Sequence, residues 1–126
     1  MDGLSIKGAQ PGMALSRVTE LLGDCLSQEA QGSDHLHGFA DDIAALVRGE
    51  QVTSLYSKRV DSQSETNFLV AGDSREVVHQ RLGVPTDPGM MSSQRPPHYE
   101  GYDAPGRRLM VNYRGDEVVR FVFSAR

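Results

Sequence analysis

Along the chain, apolar and polar positions change period in a way that separates helix from strand. In the stretch from Gly72 to Gly83, Val78 and Leu82 fall on one face at i, i+4. Asp73 stands as the helix cap with Glu76 three residues on, and Gly83 with Pro85 just beyond it marks the stop. Ala14, Val18, Leu21 and Leu22 form a similar stripe that ends at Gly23. Elsewhere the period falls to two. Leu109-Met110-Val111-Asn112-Tyr113 and Val118 to Phe123 are rich in strand formers, and Arg114-Gly115-Asp116-Glu117 between them reads as a tight turn.

These patterns recur in order. Gly12 to Gly23 matches Gly72 to Gly83 at an offset of 60. His35-Leu36-His37-Gly38-Phe39 matches His98-Tyr99-Glu100-Gly101-Tyr102 at 63, and Ile43 to Ser57 matches Leu109 to Phe123 at 66. Three ordered matches, each with a glycine landmark, point to a duplication with loop insertions in the second copy. The repeat also decides an ambiguous stretch. Asp41 to Gly49 alone reads as a short helix with an acidic start, but its counterpart is strand, so both copies are read as hairpins. Leu26 to Ser33 reads as a polar connector, Asp61 to Glu65 as the linker between copies, and Thr86 to Pro97 as a long exposed loop. The expected fold class is α+β: two tandem α-βββ repeats, residues 1–61 and 62–126, each a helix packed on a three-stranded antiparallel meander, together one compact unit.

Composition limits what this architecture can do. A chain of 126 residues has no room for separate cofactor and substrate domains. Net charge is −4, which gives no reason to bind nucleic acid or an anionic membrane. The negative excess lies in residues 1–63, with five Lys/Arg against nine Asp/Glu; residues 64–126 hold eight of each. Cys25 is the single cysteine, so no intrachain disulfide forms. No secretory leader or transmembrane-length apolar run is visible. A cytoplasmic protein is expected.

The second copy reads Gly-x-Ser-x-x-x-Val-x-x-x-Leu-Gly-x-Pro from Gly72 to Pro85, then Leu-x-Val-x-Tyr-x-x-x-x-Val from Leu109 to Val118. This pattern resembles the SmpA/BamE-like domain, and tandem copies of a similar helix-plus-sheet unit occur in β-lactamase inhibitory proteins. The first copy departs from it, since Gly23 is followed by Asp24 and Cys25 without the proline. The resemblance implies a bacterial binding scaffold and carries over no catalytic residue.

Candidate chemistry is sparse. His35 and His37 point to one side of a strand and form a possible metal pair, with His98 and Glu100 at the matching positions; two polar side chains on a solvated face are the plainer alternative. Cys25 follows a helix C-terminus, where the dipole does not activate it, and His79 reads as exposed. Asp34, Asp41 and Asp42 flank the middle strand of the first copy, where the second has Arg107 and Arg108. Opposite charge on matched scaffolds suits partner recognition. Tyr99, Tyr102, Met90 and Met91 add apolar contact candidates. The expected function is a non-catalytic protein-binding module, an inhibitor or immunity-type protein that caps a basic partner enzyme or toxin, with no cofactor and no metal. Its partner-binding residues are expected at Asp34, His35, His37, Asp41, Asp42, His98, Tyr99, Glu100 and Tyr102. The alternatives are an envelope-assembly domain without its leader and a small metal-dependent enzyme using His35 and His37.

Overall fold

The computed structural model describes residues 3–89 and 98–126. In chain order the elements are α1 (Leu15–Leu22), β1 (Ser27–Gln31), β2 (Asp34–Gly38), β3 (Ala44–Arg48), β4 (Gln51–Ser57), β5 (Arg59–Val60), β6 (Leu69–Val70), α2 (Arg75–Leu82), β7 (Tyr99–Ala104), β8 (Arg107–Arg114) and β9 (Glu117–Ala125). Seven strands form one antiparallel sheet in the order β1-β2-β3-β4-β9-β8-β7, while β5 and β6 pair separately.

The hairpin reading of the ambiguous stretch matches the structure: β3 and β4 turn through Gly49-Glu50, as β8 and β9 turn through Gly115-Asp116. Gly49 and Gly115 lie at φ 63° and 60°, the left-handed region that a two-residue turn demands at its first position. Each hairpin carries a register shift, at Leu46/Val47 and at Asn112/Tyr113. Each helix is tied to its hairpin by matching backbone bonds. The Gly12 and Gly72 N–H groups donate to Val52 and Val118, and those of Leu15 and Arg75 donate to Glu50 and Asp116.

The expected fold class is nevertheless corrected. The molecule is a single, mostly antiparallel seven-stranded sheet with a small two-stranded one and two short helices, not two tandem helix-plus-three-strand units. The first part gives four strands to the large sheet, because the presumed connector Leu26–Ser33 contains β1. Every residue of β1 is exposed, so no apolar alternation announced it. Backbone pairing with β2 alone holds it, from Ser27↔Gly38 to Gln31↔Asp34. The presumed linker is also anchored. Asp61 is buried, bridges Ser5, and its carboxylate accepts the Lys7 and Asn67 N–H groups. At α2 the cap is Ser74, whose hydroxyl accepts from the Val77 N–H; Asp73 instead accepts from Val70.

Helices of eight residues are marginal alone and depend on what they pack against. α1 buries Val18 and Leu22, but α2 buries only Val78. Both meet a face of the sheet made by Val47, Val52, Leu55, Leu109, Val111, Phe121 and Phe123, all within the buried core. Leu55 pairs with Phe123, and Phe123 with Leu109, across the centre of the sheet. Replacing Phe123 with Ala is expected to cost about 3–5 kcal/mol. Urea unfolding of that variant should stay a single transition, because β4 and β9 share one core.

Candidate functional site

The weak apolar face of α2 is compensated by a polar anchor. Arg75 and His79, one turn apart on α2, both reach the buried Glu100 of β7. His79 Nε2 lies 2.9 and 2.8 Å from the two carboxylate oxygens, and an Arg75 guanidinium nitrogen lies 3.5 Å from one of them. Arg75 also stacks on Tyr113 at 3.9 Å from the ring centre, donates to the Gly115 carbonyl and pairs with Asp116. It thereby clips the first turn of α2 to the β8–β9 turn. Burial, reinforced by the Glu100 carboxylate, pushes the phenols of Tyr102 and Tyr113 above their usual range, so both stay neutral. Tyr102 donates to the Gly83 carbonyl and closes the far end of the helix.

A cleft of about 580 Å³ opens over this anchor, lined by Ser74, Arg75, Glu76, His79, Gln80 and Asp116. The His79 imidazole lines it, with its Glu100 partner buried beneath. The Ser74 hydroxyl is used as a helix cap, and Cys25 contacts His37 on β2 instead. Arg75 and His79 are engaged by Glu100 and Asp116, which suits a structural clamp.

The other expected residues are scattered. Asp34 is ion-paired with Arg48 at 2.9 Å, and the hydrogen bond from Arg48 holds its carboxyl below the usual range. Asp41 and Asp42 occupy consecutive left-handed positions, φ 64° and 59°, and pair with Lys7 and Lys58. Each of the three acidic side chains thus has a cation of the same chain beside it. Arg107 and Arg108 are held too, by Gln10 and by Asp103 with Asp87. His35 is exposed, whereas His37 is buried with Nδ1 3.6 Å from Cys25 Sγ. His98 is exposed and Tyr99 half-buried; Glu100 and Tyr102 are brought together under α2, and His79 is part of their site rather than free on the surface. Met90 and Met91 lie outside the described residues. Among the described residues no three His, Cys, Asp or Glu side chains gather to hold a metal ion. No described helix is long and apolar enough to cross a membrane.

What sequence reasoning missed is the second face of the sheet. Strand register aligns Ala44, Tyr56, Val122 and Met110 as one row across β3, β4, β9 and β8. Leu36 and Leu46 extend the apolar area on β2 and β3. All six are only half-buried, while the alternate residues beside them on β3, β8 and β9 are core. A groove of about 510 Å³ runs here, with Tyr56 in it and Arg120 and Lys58 on its rim. Lys58 is paired with Asp42; Arg120 stacks over Tyr56 at 5.5 Å and has no acidic partner among the described residues. Farther along the face, Asp103 accepts from Arg108 and Arg126. The signal was available, since both faces of β3 and β8 carry apolar residues, but apolar residues on both faces do not say which face is covered.

No family model and no curated protein matches the sequence. The fold is shared with solved structures. One is an extracellular protein containing a SCP domain from Bacillus anthracis str. Ames, with TM-score 0.69 and 8% identity over 96% of this chain and 47% of that one. Another is a cysteine-rich secretory protein from Staphylococcus aureus subsp. aureus Mu50, with TM-score 0.59 and 12% identity over 92% and 44%. The chain thus spans about half the length of these neighbours. They overturn the SmpA/BamE-like resemblance and the immunity-protein expectation attached to it. The quoted motif encodes a short capped helix stopped by Gly before Pro, a local device that different folds share. The cytoplasmic expectation is corrected as well, because the neighbours are described as extracellular or secretory. A lone cysteine and an unseen leader are too weak to fix a compartment.

Glu100→Ala should lower stability by about 3–5 kcal/mol in chemical denaturation, because it removes the carboxylate that a buried guanidinium faces. For Asp103, hydrogen bonds from Arg108 first, and then from Arg126, depress the carboxyl to about 2. A depressed folded-state value means that stability is present above the ordinary carboxylate range and is lost as pH falls toward about 2. Asp103→Asn should remove that part of the acid dependence, and an NMR titration of the side chain should find its midpoint near 2.

Proposed function

We propose that this chain is a non-catalytic protein-binding module that recognises its partner on the open face of the sheet. The observation that carries the reading is the row Ala44–Tyr56–Val122–Met110, an apolar stripe that no described helix or strand covers. A sheet face that is apolar at its centre and charged at its rim has the layout of a protein interface. Aromatic and arginine side chains dominate binding energy at such sites, and Arg120 over Tyr56 supplies both.

Charge decides the kind of partner. Asp34, Asp41 and Asp42 are matched by Arg48, Lys7 and Lys58, so they offer little to a basic surface. Arg120 is the groove cation without a carboxylate among the described residues. The occupant is therefore an acidic segment of another protein: a carboxylate meets Arg120, and apolar side chains lie on Tyr56, Val122 and Met110. The extracellular and secretory descriptions of the neighbours support a setting outside the cell, and their greater length supports a role as one part of a larger protein. The carboxylate–imidazole pair at Glu100 is the feature closest to enzyme chemistry, and its internal charge matching favours a structural role.

Panning a displayed random-peptide library on the purified protein tests this. Enriched peptides should pair Asp or Glu with apolar residues. They should bind the Tyr56→Ser and Arg120→Glu variants at least about tenfold more weakly, the scale of one interface hot spot. Unchanged binding to both variants would sink the proposal, as would sedimentation showing that the face is filled by a second copy of the chain.

A further inference from the structure

Each of the strands β2, β3, β4, β7, β8 and β9 buries at least one side chain. β1 buries none, so neither of its faces carries core. Among the described residues β2 is the one strand that pairs with it, which leaves its outer N–H and C=O groups without a strand. Edges that must stay single are blunted by proline, lysine or a bulge. β1, Ser27-Gln28-Glu29-Ala30-Gln31, has no proline or lysine, its pairing with β2 runs without a register shift, and Glu29 is its single charge.

Leu26 stands directly before this strand and is 70% exposed. A lone exposed leucine means little by itself. At the end of an open edge strand it supplies what backbone pairing lacks, an apolar contact for an incoming strand. A strand added to such an edge gains main-chain hydrogen bonds, and the side chains opposite one another select the partner.

We propose that β1 pairs antiparallel with β1 of a second copy of this chain, centred on Gln28. In a two-fold pair the central residue meets its own copy, and residues equally far on either side meet each other. Centring on Glu29 sets two carboxylates opposite one another, which is unfavourable. Centring on Ala30 carries Leu26 past the end of the partner's strand. Centring on Gln28 sets Leu26 against the partner's Ala30 and Ser27 against the partner's Glu29, with the two Gln28 amides at the axis. Apolar meets apolar, a hydroxyl meets a carboxylate, and no like charges are opposed. The sheets of the two copies join edge to edge, and the row Ala44–Tyr56–Val122–Met110 stays uncovered on both. The pairing therefore stands apart from peptide recognition on that face. Five residues a side make a small interface, so the dimer is a weak, reversible one.

Sedimentation equilibrium of the full chain over a range of concentrations tests this, with circular dichroism verifying the fold of each variant. The wild type should show a monomer–dimer equilibrium. Gln28→Lys and Gln28→Glu each oppose like charges at the axis and should weaken it roughly fivefold. Mixed one to one, these two variants should pair at least as tightly as the wild type, which a general loss of structure would not allow. Leu26→Ser should weaken the dimer by a similar factor, and Tyr56→Ser should leave it unchanged. In a Cys25→Ser background, Gln28→Cys should oxidise to a disulfide-linked dimer, whereas Glu29→Cys, set away from its own copy, should not. A chain that stays monomeric up to about 1 mM overturns the proposal. So does a dimer indifferent to the changes at Gln28 and Leu26, or one that cross-links at position 29 rather than 28. A dimer dissolved by Tyr56→Ser would put the contact on the open face and overturn it as well.

Discussion

The pairing of β4 with β9 is the contact on which the rest of the molecule depends. Four residue pairs, Ser54↔Ser124, Leu55↔Phe123, Tyr56↔Val122 and Ser57↔Phe121, join a strand from the middle of the chain to its last strand. Because side chains alternate across a strand, this register sorts residues to opposite faces in one step. Leu55, Phe121 and Phe123 go to the side of the helices, and Tyr56 and Val122 go to the open side. A slip of one residue would put two phenylalanines in solvent and Tyr56 in the core. The same hydrogen bonds therefore set both the stability of the fold and the composition of the proposed binding face.

The two helices show two ways of holding a short helix on a sheet. α1 relies on apolar area, through Val18 and Leu22. α2 relies on charge, with Glu100 drawn under it and Arg75 and His79 closing over the carboxylate. A buried ion pair contributes little net free energy compared with apolar packing, yet it is costly to break and demanding in geometry. That trade explains why Arg75 and His79 both converge on the one carboxylate of Glu100 and why these groups read poorly as catalytic ones.

Much of the local structure was legible in the sequence. Period-two stretches with glycine turns located β8 and β9, and repetition extended the reading correctly to β3 and β4. What escaped was any element whose identity lies in backbone pairing alone. β1 has no apolar residue larger than Ala30, so nothing in its side chains marks it as a strand. The assembly of strands into one sheet was equally hidden, since the apolar residues on the second faces of β3 and β8 look the same whether they meet a partner domain or solvent. The acidic residues were visible, but their cations were not. Lys7 meets Asp41 from 34 residues away, a distance that pattern reading does not cross.

The two outer margins of the large sheet are unlike each other. Along β7 the margin is sealed by a backbone exchange between Gly101 and Asp87, and Pro85 and Pro88 flank the sealing residue. Along β1 the margin is open and polar throughout. Growth of a sheet into a fibre requires each molecule to offer two adhesive margins, one to the molecule before and one to the molecule after. Among the described residues, β1 is the margin of the large sheet that no further strand pairs. The short contact at Asp87 thus occupies backbone groups in the middle of the β7 margin that an added strand would otherwise use, on an edge separate from the proposed binding face.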